Sequence, residues 1–129
     1  MMNKNKLTIV IDRPIGEVFE FTINPKNTPL WISHIKIEES SEYPPKIKTV
    51  YRNRGEEDNW DKYEVIGLKA NSLFTLQSSD KRYFVRYTYE KINDKKTKME
   101  YFEWVKSGEL DNPFTQKVLE KLKEVIESS

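Results

Sequence analysis

The chain has 129 residues, and 22 basic against 21 acidic side chains leave a formal charge of +1, so no electrostatic argument points to nucleic acid or an anionic membrane. Hydrophobic residues make up 36%, and even with the four glycines added the share stays below the ~45–50% usual for a globular domain. Seven tyrosines, six phenylalanines and three tryptophans argue against disorder and place much of the apolar surface in large rings.

The absence of cysteine excludes a disulfide scaffold, a thiolate metal site and a thiol nucleophile. A cytoplasmic protein fits that usage. His34 is the only histidine, which leaves a catalytic triad or a multi-histidine metal site almost nothing to draw on. The apolar-rich stretch from Leu7 to Ile11 is too short for a signal-peptide core or a membrane span.

Leu7 to Asp12 is short and β-branched and reads as a strand. Pro14 follows at a first-turn position, and Ile15, Val18, Phe19 and Thr22 form one helical face that should end near Asn24-Pro25. Thr28-Pro29 repeats the start signal, with the threonine hydroxyl as cap, ahead of Leu30, Trp31 and Ile32. From Ile35 to Val105 apolar and polar residues alternate between turn clusters, which predicts six strands in an antiparallel meander. Lys62, Glu64, Lys98 and Glu100 then belong to a solvated outer face.

After Ser107-Gly108, Asn112 is the expected cap of a terminal helix with Pro113 in its first turn. Phe114, Val118, Leu119, Leu122, Val125 and Ile126 make its apolar stripe, over a segment of about 15 residues or roughly 22 Å. One apolar helical stripe and one apolar sheet face must cover each other. The expectation is an α+β helix-grip fold: a single domain over residues 1–129, its seven-stranded curved antiparallel sheet wrapped around the C-terminal helix, with two short helices after the first strand.

The strand Leu7–Asp12 followed by Arg13-Pro14-Ile15-Gly16-Glu17-Val18-Phe19, the Asn24-Pro25 to Thr28-Pro29-Leu30-Trp31 segment, Lys96-Thr97-Lys98-Met99 and the terminal helix come in a telling order. In that order the chain resembles the Bet v 1-like or START-related (SRPBCC) superfamily, which includes bacterial polyketide cyclase-like and lipid-binding members. Two departures stand out. Family members often have Gly-Thr where this chain has Lys48-Thr49. The activator subset that binds a heat-shock chaperone carries Gly-Trp before its terminal helix, whereas Glu103-Trp104-Val105-Lys106-Ser107-Gly108 does not match, so no chaperone partner is expected.

The resemblance implies a cavity between sheet and terminal helix. Tyr83, Val85, Tyr87 and Tyr89 are more apolar than the alternate row Phe84, Arg86, Thr88 and Glu90, and so should face inward. On the next strand two registers compete. A three-residue loop at Asn93-Asp94-Lys95 pairs Tyr89 with Met99, Tyr87 with Tyr101 and Val85 with Glu103. A loop of two or four residues turns Phe102 and Trp104 inward instead, and buries Glu100 beside Tyr89, which favours the first.

The wall expected to meet a ligand is Tyr51, Tyr63, Val85, Tyr87, Tyr89, Met99, Tyr101 and Glu103 from the sheet, with Phe114 and Val118 from the terminal helix. For each tyrosine, ordinary core packing is the competing reading. Glu103 either faces the cavity, where it needs a donor such as a tyrosine hydroxyl, or lies at the open end of the sheet, solvated or paired with an arginine. Trp31 is expected to plug the short helices onto the sheet edge, and His34 to sit exposed without a role.

The basic and aromatic run Lys81-Arg82-Tyr83-Phe84-Val85-Arg86-Tyr87 lacks the glycines and spacing of an RNP1 motif, and neither a phosphate loop nor a metal-ligand spacing occurs. Binding of a hydrophobic or aromatic small molecule, lipid- or polyketide-like, is the leading expectation, with no cofactor. The alternatives are a cofactor-independent cyclase or dehydratase that uses Glu103 as acid or base, and a protein-interaction module.

Overall fold

The computed structural model describes residues 2–129. Strand β1 (Lys4–Ile11) leads into helices α1 (Ile15–Ile23) and α2 (Thr28–Trp31); strands β2 (Ile37–Ser40), β3 (Val50–Arg54), β4 (Asp61–Lys69), β5 (Leu73–Ser78), β6 (Tyr83–Asn93) and β7 (Lys96–Val105) follow, then helix α3 (Gln116–Glu127). The strands form one seven-stranded sheet in the order β1-β7-β6-β5-β4-β3-β2, antiparallel at each pairing. It is the meander that the alternation implies, closed at one side by the return of β1 against the last strand. No helix among the described residues is long and apolar enough to cross a membrane.

Burial follows the helical and strand periods. Val18, Phe19, Thr22 and Ile23 are the buried face of α1, and Leu119, Leu122 and Ile126 that of α3. These stripes meet Ile11, Val65, Phe74, Tyr87, Met99 and Tyr101 of the inner sheet face in one core. The β6–β7 register pairs Tyr89 with Met99, Tyr87 with Tyr101 and Val85 with Glu103. The turn itself differs from the three-residue loop: Asn93 pairs with Lys96 across a two-residue turn, and a bulge between Lys91 and Asn93 restores the parity.

Three local expectations are corrected. Helix α3 starts at Gln116, with Thr115 in the N-cap position, because Asn112 adopts a left-handed φ of 51° that a helix cap does not use. Phe114 therefore lies in the loop before the helix. Thr28 does not cap α2; its hydroxyl donates to Glu38 Oε1 at 2.6 Å, and Asn27 holds the cap position. Trp31 packs over the middle of the sheet rather than its edge, edge-on to Tyr87 at 6.4 Å and to Phe114 at 6.1 Å between centroids.

The departure at Lys48-Thr49 keeps its bend. Lys48 has φ 80°, the left-handed region where glycine is at ease and a lysine is strained. The turn is held by Lys48 N–H donating to Val65 O at 2.8 Å and by Val65 N–H donating to Thr49 O at 2.9 Å. Buried Thr49 completes it, its hydroxyl donating to Glu42 Oε1 and accepting from the Lys46 N–H.

Candidate functional site

Between the sheet, α2 and the loop before α3 lie two adjoining spaces. An inner cavity of about 120 Å³ is walled by Tyr51, Tyr63, Phe74, Leu76, Val85, Tyr87 and Tyr101 of the sheet, by Thr22 and Thr28 of the short helices, by Phe114, and by Glu38 and Asn53. An outer, open cleft of about 840 Å³ runs along Trp31, Tyr83, Glu103, Phe114 and Val118, with Asp61, Asp80, Asp111, Arg82, Lys117 and Lys121 around it. Ile32, His34, Asp61, Tyr63, Tyr83 and Phe114 border both.

The register builds this wall. One inner row across the sheet reads Leu7, Tyr101, Tyr87, Phe74, and the next reads Asn5, Glu103, Val85, Leu76, Val65. Rings join along the first row: Tyr87 meets Tyr101 edge-on at 5.4 Å, Phe74 lies 6.1 Å from Tyr87, and Tyr51 lies 5.5 Å from Phe74. Phe114 stacks on Tyr101 at 4.5 Å with planes 5° apart, closing the mouth side of the cavity.

Glu103 is 2% exposed, so it faces inward and is neither solvated nor paired with an arginine. Its Oε1 accepts the Tyr83 hydroxyl at 2.7 Å, and its Oε2 accepts the Asn5 Nδ2 amide at 2.9 Å and the Phe114 N–H at 2.8 Å. Asn5 also donates to the Phe114 carbonyl at 2.9 Å. The carboxylate thus ties β1, β6 and β7 to the loop that carries the Phe114 ring.

Of the expected wall, Tyr51, Tyr63, Val85, Tyr87, Tyr101 and Phe114 border the inner cavity, while Glu103 and Val118 border the outer cleft. Tyr89 and Met99 border neither. Helix α1 covers their end of the sheet: the Tyr89 ring meets Phe19 edge-on at 5.2 Å, its hydroxyl lies 2.6 Å from Thr22 Oγ1, and Met99 is wholly buried in the core. His34 is exposed, as expected, but sits on the rim shared by the two spaces.

The tyrosine hydroxyls are not equivalent. Tyr51 donates to Ile23 O at 2.6 Å, satisfying a carbonyl at the C-terminal end of α1, and Tyr83 is committed to Glu103. Tyr63 and Tyr87 have no hydrogen-bond partner among the described residues, and Tyr101 has only Tyr83 at a long 3.4 Å. Burial pushes these hydroxyls upward in pKa, Tyr63 to about 12 and the others further, so all are neutral donors at physiological pH.

The sequence reading missed Glu38 and Asn53. Alternation in Ile37-Glu38-Glu39-Ser40 suggests Ile37 inside, yet Ile37 is 37% exposed and Glu38 lines the cavity. Glu38 accepts Thr28 Oγ1 at 2.6 Å and Asn53 Nδ2 at 3.0 Å. Burial raises its carboxyl above the ordinary range, and the two hydrogen bonds partly offset this. No local signal marks it: in four residues, three of them polar, either phase of the alternation is acceptable.

No family profile matches the sequence, and no curated protein matches it. Solved structures do. A START superfamily protein from Mycobacterium smegmatis aligns with TM-score 0.74 at 12% identity over 97% of each chain. Ara h 8.0201 aligns with TM-score 0.65 at 14% identity over 98% of each. The Aha1 dimer from Colwellia psychrerythraea gives TM-score 0.62 at 10% identity, over 98% of this chain and 92% of the other. With its seven-stranded antiparallel sheet gripping a C-terminal helix, the chain has the fold of the Bet v 1-like and START-related superfamily.

Proposed function

We propose that this protein binds a small, largely apolar molecule whose leading group enters the inner cavity while the rest lies in the outer cleft. The observation that carries this reading is that the two spaces adjoin, sharing Ile32, Tyr63, Tyr83 and Phe114 as a common wall. Small-molecule sites are concave, mostly apolar and supplied with a few convergent polar groups; here those are the free hydroxyls of Tyr63 and Tyr87 and the Glu38 carboxylate.

Size limits the ligand. Known pockets run to ~300–1,000 Å³, and an apolar cavity of ~150 Å³ accepts a single benzene ring, so an inner space of about 120 Å³ holds one ring or one compact head group. A lipid- or polyketide-like molecule would have to lie mainly in the cleft. A cytoplasmic setting accords with the cysteine-free chain. The acid–base reading of Glu103 is the weaker one, because three donors already occupy its two oxygens.

Mass spectrometry of small molecules copurifying with the native protein, followed by thermal-shift titration of single-ring compounds, tests the proposal. Leu76→Phe, which fills the cavity wall, should abolish stabilisation by these compounds while the variant still folds. If no apolar compound raises the melting temperature and nothing copurifies, the reading is wrong.

A further inference from the structure

Glu38 stands in the cavity wall without a counter-ion among the described residues. Its two partners, Thr28 and Asn53, are neutral and themselves buried, and they fill two of the roughly four acceptor sites that a carboxylate offers. The neighbouring arginines are turned away: Arg52 and Arg54 flank Asn53 on β3, and both lie over the Trp60 ring, with Arg52 also paired to Glu39. No lysine or arginine borders the inner cavity among the described residues; the charged groups there are Glu38 and Asp61, with His34 at the rim. The basic side chains Arg82, Lys117 and Lys121 border only the outer cleft, among Asp61, Asp80 and Asp111.

The rest of the wall is aromatic. Tyr51, Phe74, Tyr87, Tyr101 and Phe114 form a connected run of rings with centroids 4.5 to 6.1 Å apart. Ring faces attract cations, most strongly when water is excluded, and clusters of such rings serve as ammonium cages elsewhere. A half-buried carboxylate beside them, without a counter-ion among the described residues, adds direct charge pairing, and its partial desolvation is a cost that a bound cation would offset. A carboxylate-bearing ligand would meet repulsion from Glu38 at the same place.

Building on the binding reading above, we propose that the inner cavity selects a cation: a small alkyl- or arylammonium group held between the tyrosine and phenylalanine rings and the Glu38 carboxylate. A charged head and a ring-sized volume are compatible, since a trimethylammonium group is no larger than the single ring that such a cavity takes, and of benzylammonium either the ring or the ammonium end can enter. The remainder of the molecule points to the open cleft.

Shape-matched pairs test this by calorimetry at pH 7.5: choline against 3,3-dimethylbutan-1-ol, and benzylamine against benzyl alcohol, with benzoate as the anion. The ammonium member of each pair should bind at least tenfold tighter than its neutral twin, and benzoate should not bind. Glu38→Gln should remove that advantage, so that the two members of each pair bind within threefold of one another. Should that variant fail to fold, the unmutated protein gives the same reading through pH: the advantage should shrink as acid protonates Glu38, although benzylammonium stays charged. An ammonium on a lipid head has the same chemistry, so a soluble short-chain phosphatidylcholine run beside free choline tells a headgroup from a free amine. Equal affinity of the twins, tighter binding of the neutral ones, or binding by other apolar compounds alone would overturn the cation proposal and leave the binding reading intact. If no compound binds at all, both fall.

Discussion

The backbone N–H of Phe114 donates to Glu103 Oε2 at 2.8 Å, so a buried carboxylate on β7 holds the loop whose ring closes the mouth side of the cavity. Glu103→Ala leaves that N–H, the Asn5 amide and the Tyr83 hydroxyl without their acceptor, at about 1–3 kcal/mol for each group that stays dry. Some will find water, and a loss of about 3 kcal/mol is expected in urea denaturation, with faster hydrogen exchange at the Phe114 amide. Glu103→Gln should fall between. A loss below about 1 kcal/mol for the alanine variant would contradict the latch.

Phe114 itself contributes packing from a half-buried loop position, stacked on Tyr101 and edge-on to Trp31. Phe114→Ala should cost about 2 kcal/mol, less than the ~3–5 kcal/mol of a fully buried phenylalanine. It should also merge the inner cavity with the cleft and weaken any single-ring ligand found by thermal shift. Unchanged affinity would mean that the ligand does not touch this wall.

Lys48 holds a left-handed backbone at φ 80° where glycine carries no Cβ penalty. Lys48→Gly should stabilise the protein by about 1 kcal/mol, the strain relieved outweighing the extra entropy of an unfolded glycine. A lower melting temperature in the variant would show that the Lys48 side chain supplies something the turn needs.

Burial raises the pKa of Tyr51, Tyr63, Tyr83, Tyr87, Tyr89 and Tyr101 above the ordinary 10. Below pH 10 both folded and unfolded chains keep these protons and the stabilisation is complete. Above it the unfolded chain releases them while the folded one holds them, so stability falls as pH rises, by about 1.4 kcal/mol per pH unit for each such tyrosine. The loss continues through the folded values, beginning with Tyr63 at about 12. Denaturation midpoints should change little from pH 9 to 10 and drop steeply from pH 10 to 11, and ultraviolet titration should show half-exposed Tyr43 ionising ahead of the others. A flat profile up to pH 11 would contradict these buried hydroxyls.

How far the sequence could be read depended on what each segment packs against. Strands β6 and β7 lie in the interior of the sheet and are long enough for the two faces to separate clearly, so their alternation reports burial faithfully and the Tyr87–Tyr101 pairing follows from it. The hairpin loop was the weak point, because a two-residue turn plus a bulge gives the same parity as a three-residue loop. Around Asn112 to Phe114 the capping chemistry was present in the wrong place: Asn and Pro suit a helix start, but they also suit the left-handed turn that Asn112 makes, and only the pull of Glu103 on Phe114 distinguishes the two.

The sequence by itself determined the order of elements, the antiparallel meander, the inward face of the central strands and the helix that covers it. These follow from periodicity, and periodicity is a local record of which side meets a packed interior. The tertiary structure alone decided which carboxylate faces the cavity and which is spent on holding it together. Glu38 turns in and Ile37 turns out on the edge strand β2, where four residues are too short a run for alternation to decide the face. Glu103 found its donors on β1, on β6 and in the loop before α3, at separations in sequence that no local pattern encodes. The abundance of tyrosine, legible from composition, thereby divides into hydroxyls that brace the fold and hydroxyls left free toward the cavity.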